Sequence, residues 1–373
     1  MNNMKLVITG SNGFIGKNLR VHLRENGYDD IICIDRDNSV EQLDNALQTA
    51  DFVFHLAGIN RPTNDSEFYE GNANLTEYIV KKLEEAGNKT PLLITSSIQA
   101  ELDNHYGKSK AAAELSVSKY AEHCKAKTYI YRLPNVFGKW CRPNYNSAVA
   151  TFCYNILNGL EVTVNNPDAV LNLVYIDDVC KSFIDCLKGN IDSNSATVSP
   201  VYHTSVGEVV SIIRSFKDKQ HGLLIDHVGT GLTRALYATY LSYYSPSDFA
   251  YSVKRHSDPR GTFVEMLKTK ESGQFSFFTA HPGITRGGHY HHTKNEKFLV
   301  IKGKAKFAFR HIDSNDYYEF FVDGDESKIV ETVPGWSHDI TNIGDDEMIV
   351  MLWANEIFDP ENPDTVNYKI SEE

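Results

Sequence analysis

Gly10, Gly13 and Gly16 stand three residues apart directly after the β-branched run Lys5-Leu6-Val7-Ile8-Thr9, and an amphipathic stretch follows to about Asn26. No other feature of the chain restricts its fold as much. A strand that turns on glycine into a helix lets the backbone approach a pyrophosphate at the helix N-terminus. The spacing alone is a weak signal, but here a second strand follows, ending at Ile34-Asp35, as a dinucleotide-binding unit requires. Gly10, Asn12, Gly13, Phe14, Ile15 and Gly16 are therefore expected to hold a dinucleotide. Asp35 suits the adenosine ribose hydroxyls. Arg36 beside it suits a 2′-phosphate, which favours NADPH over NADH; the alternative is a solvated arginine at a strand end. A third strand over 52–58 ends in Leu56-Ala57-Gly58, where small residues let the cofactor lie close.

A fourth strand, Leu92-Leu93-Ile94-Thr95-Ser96-Ser97, ends in hydroxyls, and doubly wound sheets place their chemistry at the C-terminal ends of strands. Tyr106-Gly107-Lys108-Ser109-Lys110 then opens an alanine-rich helix. Tyr106 and Lys110 are four apart and share a helical face. Tyr-x-x-x-Lys is common by chance; after a glycine turn and a serine-ended strand it carries weight.

With these motifs, residues 4–243 resemble the extended short-chain dehydrogenase/reductase family. Tyr131-Arg132-Leu133-Pro134-Asn135-Val136-Phe137-Gly138 and Tyr175-Ile176-Asp177-Asp178-Val179 belong to the same likeness. The resemblance implies a catalytic trio of Ser97, Tyr106 and Lys110, with Ser96 the alternative serine. It also implies that Tyr106 and Lys110 touch the cofactor and that Asn135 borders a sugar-nucleotide site. Arg142 is a candidate diphosphate partner, an ordinary loop arginine being the alternative. Dehydratases of the family carry an Asp-Glu pair after the hydroxyl residue, where this chain has Ile98-Gln99, so a plain ketone reductase is expected. Hydride arriving at a carbonyl carbon leaves charge on oxygen, and donors must already point there. Ser97 is expected to supply one hydrogen bond. Tyr106 is expected to supply the proton, its phenol pKa lowered by the Lys110 ammonium.

Beyond Ser245-Pro246-Ser247-Asp248, a turn-rich break, strand–helix alternation gives way to short strands with regular turns, the all-β signature. The domains expected are 1–244, a reductase, and 245–373, a β-barrel. His289 and His291 alternate with Tyr290, so on a strand both imidazoles share a face. Glu296 follows, and His338 lies in Pro334-Gly335-Trp336-Ser337-His338. Histidines with one carboxylate suit Zn²⁺ or a similar divalent ion. The spacings resemble the two motifs of the cupin superfamily, small antiparallel barrels.

Asp258-Pro259-Arg260-Gly261-Thr262-Phe263-Val264-Glu265 with Arg286-Gly287-Gly288-His289-Tyr290 also resembles the nucleotide-sugar 3,5-epimerases. That likeness implies that Arg260, Phe263 and Glu265 bind nucleotide, Arg286 meets the diphosphate and His289 is the base. Those epimerases are metal-free, and one lone pair of His289 cannot serve both base and ligand. The presence of His291, Glu296 and His338 favours zinc.

Together the two halves resemble a family of bifunctional capsular polysaccharide synthesis enzymes. The implied activity is C3 epimerisation of a UDP-4-keto-6-deoxy-HexNAc followed by NADPH-dependent C4 reduction, giving UDP-2-acetamido-2,6-dideoxy-L-talose. The other reading is a reductase whose cupin only binds sugar or joins a homodimer, the assembly common to both resembled families. A net charge of −12 argues against nucleic acid. The six cysteines form no C-x-x-C pair, the first strand starts at once, and the apolar run 348–354 is far short of a membrane span. A cytoplasmic protein with a UDP-sugar substrate is expected.

Overall fold

The computed structural model of the protein describes residues 4–193, 196–225, 227–246 and 252–370, with side chains at 218–222 excepted. Ser247 and Asp248 of the turn-rich break lie outside these residues. Two compact units emerge: Met1–Arg214 with Gly229–Tyr244, and Ser215–Val228 with Ser245–Glu373. One cut at Ser245 therefore does not describe the division, because 215–228 belongs with the second unit. Backbone hydrogen bonding is the reason: Lys268 N donates to Leu223 O at 2.7 Å and Ile225 N to Lys268 O at 2.8 Å.

The first unit is built on a parallel sheet of β1 (Leu6–Thr9), β2 (Ile31–Ile34), β3 (Phe52–His55), β4 (Leu92–Ser97) and β5 (Thr128–Leu133). Its order is β2-β1-β3-β4-β5, so the chain reverses direction between β1 and β3. All four side chains of β1 are buried, as a central strand covered on both faces demands. The sheet's two apolar faces form separate clusters, one around Leu6, Ile8, Phe54 and Tyr131, the other around Val7, Leu47, Val53 and Ile94. Helices α1 (Phe14–Glu25) and α2 (Val40–Thr49) cross over between the first strands. Ser39 and Gln42 close a capping box at the start of α2. A smaller sheet of β6 (Asn135–Phe137), β7 (Val170–Tyr175) and β8 (Tyr202–Ser205) completes the unit.

The second unit carries two antiparallel sheets of the expected cupin-like barrel type within 252–370, together with the end of the helix Val206–Gly222. Leu267 and Phe275, among others, join the long strands Gly261–Thr269 and Gly273–Ala280, with a bulge between Glu265 and Leu267. Phe278, Phe298, Val300, Phe307, Phe309, Ile340 and Val350 fill the interior. Aromatic and β-branched side chains at alternate positions supply that core. The strands that matter below are Thr285–Tyr290, Glu296–Lys302 and Trp336–Asn342.

Candidate active and metal sites

The C-terminal edge of the parallel sheet opens into a cleft of about 770 Å³. Gly10 bends the chain there with φ +70°, and a Cβ on it would stand 2.7 Å from the Ala57 nitrogen. Gly13 caps α1 with no side-chain hydrogen bond, which leaves the first-turn N–H groups to an anion. Gly10, Asn12, Gly13, Phe14, Ile15, Gly16, Leu56 and Gly58 line the cleft; Asp35, Arg36 and Ala57 do not. The Asp35 carboxylate accepts from Ser11 Oγ and from the Asn12 N–H at 3.1 Å, tying the end of β2 to the glycine turn. Arg36 is exposed beside it.

Helix His105–Cys124 places Tyr106 and Lys110 on the cleft wall with Ser97. Asn104 caps the helix, its side chain accepting from Gly107 N at 2.7 Å. Gly107 has to be glycine for the helix to lie here, because a Cβ would meet Gln99 O at 2.2 Å. The neighbouring serines diverge. Ser96 Oγ donates to the buried Glu114 carboxylate, which Arg132 also grips. Ser97 Oγ accepts from Gln99 N at 3.1 Å and remains by Tyr106. Lys110, 8% exposed, donates from Nζ to Thr95 O at 3.0 Å.

Burial pushes the Tyr106 phenol up, and a hydrogen bond with Ser97 works the other way. This reverses the expectation that Lys110 lowers it: Nζ lies 5.9 Å from the Tyr106 ring centroid, and desolvation dominates. The Lys110 ammonium is itself brought down to about 8 by burial, against the opposing charge of Glu114.

Several cleft residues escape a reading of the sequence. Asn72 sits in a π-helical turn, Tyr69–Asn74, and clamps the Ile59 backbone at both N and O, 2.9 Å each, while donating to Ser109 Oγ at 3.0 Å. Phe68 packs on Tyr106 with centroids 5.5 Å apart. Tyr145 lies between two guanidinium groups, Arg142 at 5.4 Å and Arg61 at 5.7 Å from its ring centroid. Asn135, Arg142 and Tyr145 all line the cleft.

In the barrel, His289, His291, Glu296 and His338 bring one ligand atom each to within 4.8 Å of one another. The strand Thr285–Tyr290 ends before His291, so simple alternation does not describe the pair; a register shift between Gly287 and His289 sets His289 opposite His338. His291 Nε2 and His338 Nε2 both lie 3.3 Å from Glu296 Oε2, and Lys294 Nζ lies 2.9 Å from Oε1.

The contact of His291 Nδ1 with the Asp364 carbonyl oxygen, 2.5 Å, makes Nδ1 the protonated nitrogen. A neutral His291 then aims the Nε2 lone pair at a carboxylate oxygen, two electron-rich atoms facing one another. A cation between them removes the conflict, and the donor set of three imidazoles and one carboxylate fits a divalent ion. Burial, then His338, hold the His289 imidazole down to about 4, which keeps it neutral as a ligand must be. Burial opposes the Glu296 charge, yet the adjoining His291 and His338 rings and the Lys294 ammonium keep that carboxyl far below its usual range.

The epimerase-like residues come from both sheets of the barrel: Phe263 and Glu265 stand on the strand Gly261–Thr269, Arg260 in the turn just before it, and Arg286 on Thr285–Tyr290 of the other sheet. Arg260 pairs with Asp258 at 2.6 Å. Arg286 stacks 5.2 Å from the Phe278 centroid and donates to Thr279 O at 3.1 Å. Desolvation and the Arg260 charge both lower the Arg286 guanidinium, so the two cations sense one another. Phe263 packs on the barrel core, and Glu265 is paired with Lys268 at 2.9 Å.

The glycine turn, the hydroxyl-ended strand and the Tyr-Lys helix in one cleft define a nicotinamide-dependent short-chain fold. The chain belongs to the NAD dependent epimerase/dehydratase family, whose model matches residues 6–195. A second model, the polysaccharide biosynthesis C-terminal domain, matches 256–366. Over 370 residues, 99% of this chain and 100% of the relative, it is 54% identical to the UDP-2-acetamido-2,6-beta-L-arabino-hexul-4-ose reductase of Pseudomonas aeruginosa. It is also similar to the capsular polysaccharide assembling protein CapF from Staphylococcus aureus. That crystal structure superposes with a TM-score of 0.92 at 41% identity, covering 98% of this chain and 100% of CapF. The UDP-glucuronic acid 4-epimerase of Bacillus cereus, solved with NAD, shares the fold of the first unit at 16% identity and a TM-score of 0.55, over 64% of this chain and 98% of its own. Among the described residues no helix is long and apolar enough to cross a membrane.

Proposed function

We propose that the chain is a bifunctional nucleotide-sugar enzyme. Its barrel inverts C3 of a UDP-4-keto-6-deoxy-HexNAc; its first unit then reduces the C4 ketone with NADPH, giving UDP-2-acetamido-2,6-dideoxy-L-talose for capsular polysaccharide. The carrying observation is that one chain holds both a Ser97-Tyr106-Lys110 cleft and a barrel with a four-group His/Glu centre, the barrel also bringing Arg260 and Arg286 close enough to sense one another's charge. The name of the Pseudomonas aeruginosa relative, a hexul-4-ose reductase acting on a UDP sugar, supports the ketone and the nucleotide. Exposed Arg36 supports the phosphorylated cofactor.

A C4 ketone acidifies the C3 hydrogen, because loss of that proton leaves a carbanion delocalised onto the C4 oxygen. Reprotonation from the opposite face inverts C3. Reduction of C4 ends that acidity, so the barrel acts first. In the cleft, the bound reduced nicotinamide supplies the hydride that forms the new C–H bond at C4. Ser97 donates a hydrogen bond to the oxygen that gains charge, and Tyr106 hands over its phenolic proton. A phenol pushed up by burial keeps that proton until the alkoxide forms. The Lys110 ammonium sits behind Tyr106 with its place fixed by Thr95 O. Asn135 and Arg142 border the sugar nucleotide; in the barrel Arg260, Phe263, Glu265 and Arg286 are assigned to the same substrate.

Zinc is assigned to His289, His291, Glu296 and His338, which would hold it through three imidazole nitrogens and a carboxylate oxygen and where it would supply Lewis-acid charge. A second reading makes His289 the base and leaves the site metal-free; Arg260, assigned to the nucleotide, and Arg286, assigned to the diphosphate, favour it through the likeness to the metal-free epimerases. Cytoplasmic location and a homodimer complete the reading, the latter checked by sedimentation.

The decisive experiment incubates the keto sugar in D₂O with the Tyr106→Phe chain and no NADPH. Deuterium at C3 is expected. Exchange no faster than the uncatalysed rate overturns the epimerase assignment and leaves a reductase with a non-catalytic cupin. Exchange that survives complete chelation of metal assigns His289 as the base.

A further inference from the structure

The loop joining Thr285–Tyr290 to Glu296–Lys302 carries His291 and delivers Glu296, so its conformation fixes two of the four groups of the barrel centre. Its far end is tied by Asn355 and Thr332, which bond Asn295 and Glu296. Its near end, 291–294, is gripped by one residue seventy-three positions from His291.

Asp364 holds the loop twice. Its backbone carbonyl accepts His291 Nδ1 at 2.5 Å. Its carboxylate accepts three consecutive backbone N–H groups, His292 at 2.9 Å, Thr293 at 2.7 Å and Lys294 at 2.8 Å, together with Thr293 Oγ1 at 2.9 Å. Successive N–H groups that converge on one carboxylate form an anion-binding concavity, and the charge strengthens each bond. The second of these grips extends to Glu296: ordering 292–294 orders Lys294, whose Nζ meets Glu296 Oε1 at 2.9 Å. Backbone pairing of the same C-terminal segment with the His289 strand, His289 to Asn367 and Tyr290 to Val366, secures Asp364 in place.

We infer that Asp364 is the positioning residue of the barrel's metal centre: its carbonyl selects the His291 tautomer with Nε2 free for the ion, and its carboxylate folds the loop that presents Glu296. The inference rests on the zinc reading for its metal readout, but the tautomer it assigns is a property of the chain without metal. Partners that orient ligating groups cost about 10- to 100-fold in metal affinity when they are lost.

The test compares full-length wild type with Asp364→Ala and Asp364→Asn. Zinc affinity is measured by competition with a chromophoric chelator, and the His291 tautomer by ¹⁵N NMR of the chelator-treated, histidine-labelled protein. Asp364→Ala keeps the backbone carbonyl, so the Nδ1–H tautomer of His291 is expected to persist, while zinc is expected to bind about 10- to 100-fold more weakly, with Asp364→Asn between it and wild type in affinity. NADPH binding is expected to be unchanged, which separates this loss from unfolding. Unaltered zinc affinity in Asp364→Ala, or an Nε2–H tautomer of His291 in the metal-free wild type, overturns the inference. Wild type that retains no zinc refutes the zinc reading instead, and there the tautomer measurement alone decides on Asp364.

Discussion

Ser96 and Ser97 are adjacent on β4 yet serve opposite faces of the sheet: the Ser96 hydroxyl is bonded to buried Glu114, while the Ser97 hydroxyl stays beside Tyr106 on the cleft wall. Strand alternation produces the split, and it separates a structural serine from a chemical one. Ser97→Ala is expected to lower kcat for ketone reduction about 100- to 1000-fold, the usual cost of one lost donor to a developing oxyanion. Ser96→Ala is expected to lower thermal stability and leave kcat near wild type. Steady-state kinetics beside thermal melts check both.

Tyr106→Phe keeps the ring on Phe68 and removes the proton. NADPH oxidation is expected to fall by about 100-fold or more, the scale of general-acid catalysis. Nicotinamide binding is expected to persist, read by fluorescence titration. A variant that reduces ketone at the wild-type rate would remove Tyr106 from the mechanism.

The Lys110 ammonium, brought down to about 8 by burial, loses its charge within an accessible range. Reduction is expected to decline as pH rises through about 8, one proton being lost, and the limb is expected in kcat/KM because it belongs to the free enzyme. Lys110→Arg, which cannot titrate there, is expected to abolish that limb even if it is slow.

His55 is buried between Thr9 Oγ1 at 2.7 Å and Thr76 Oγ1 at 2.9 Å. Burial first, and Lys110 second, hold its imidazole down to about 3. An unfolded histidine takes its proton near 6.5. Below that pH the unfolded chain binds a proton that the folded one refuses, so the stability His55 contributes is intact above about 6.5 and is lost as pH falls toward 3. The slope is about 1.4 kcal/mol per pH unit. Urea midpoints at several pH values are expected to be flatter for His55→Gln across that window.

Metal loss is expected to be graded by ligand. His291→Ala and Glu296→Gln each alter one of the three groups that meet at Glu296 Oε2, and purified protein is expected to carry less than half the zinc of wild type by elemental analysis. Both variants are expected to keep NADPH binding, since their residues lie in the other unit.

Local spacing made much of this legible. The glycine turn after β1, the four-residue step from Tyr106 to Lys110, and the His289-His291-Glu296 spacing are all written within short windows, where helix and strand periods decide direction. Residues that act across long separations were not. Asn72 reaches Ser109 thirty-seven positions on, and Asp364 reaches His291 from seventy-three away; neither sits in a motif, and only folding gives either a partner. The direction of the Tyr106 shift was misread for a related reason. A neighbouring lysine is visible in sequence, whereas the desolvation that outweighs it is not.

The strand-like residues 223–225 have a practical consequence for anyone who wishes to dissect the molecule. They bond to Lys268 but precede residues 229–244, which return to the first unit. The polypeptide thus passes between the units three times, and a nick at 244/245 would leave residues 215–228 of the second unit on the amino-terminal fragment. Fragments made by that break do not coincide with the two units, so a dissection is expected to need both ends of 215–228 rerouted.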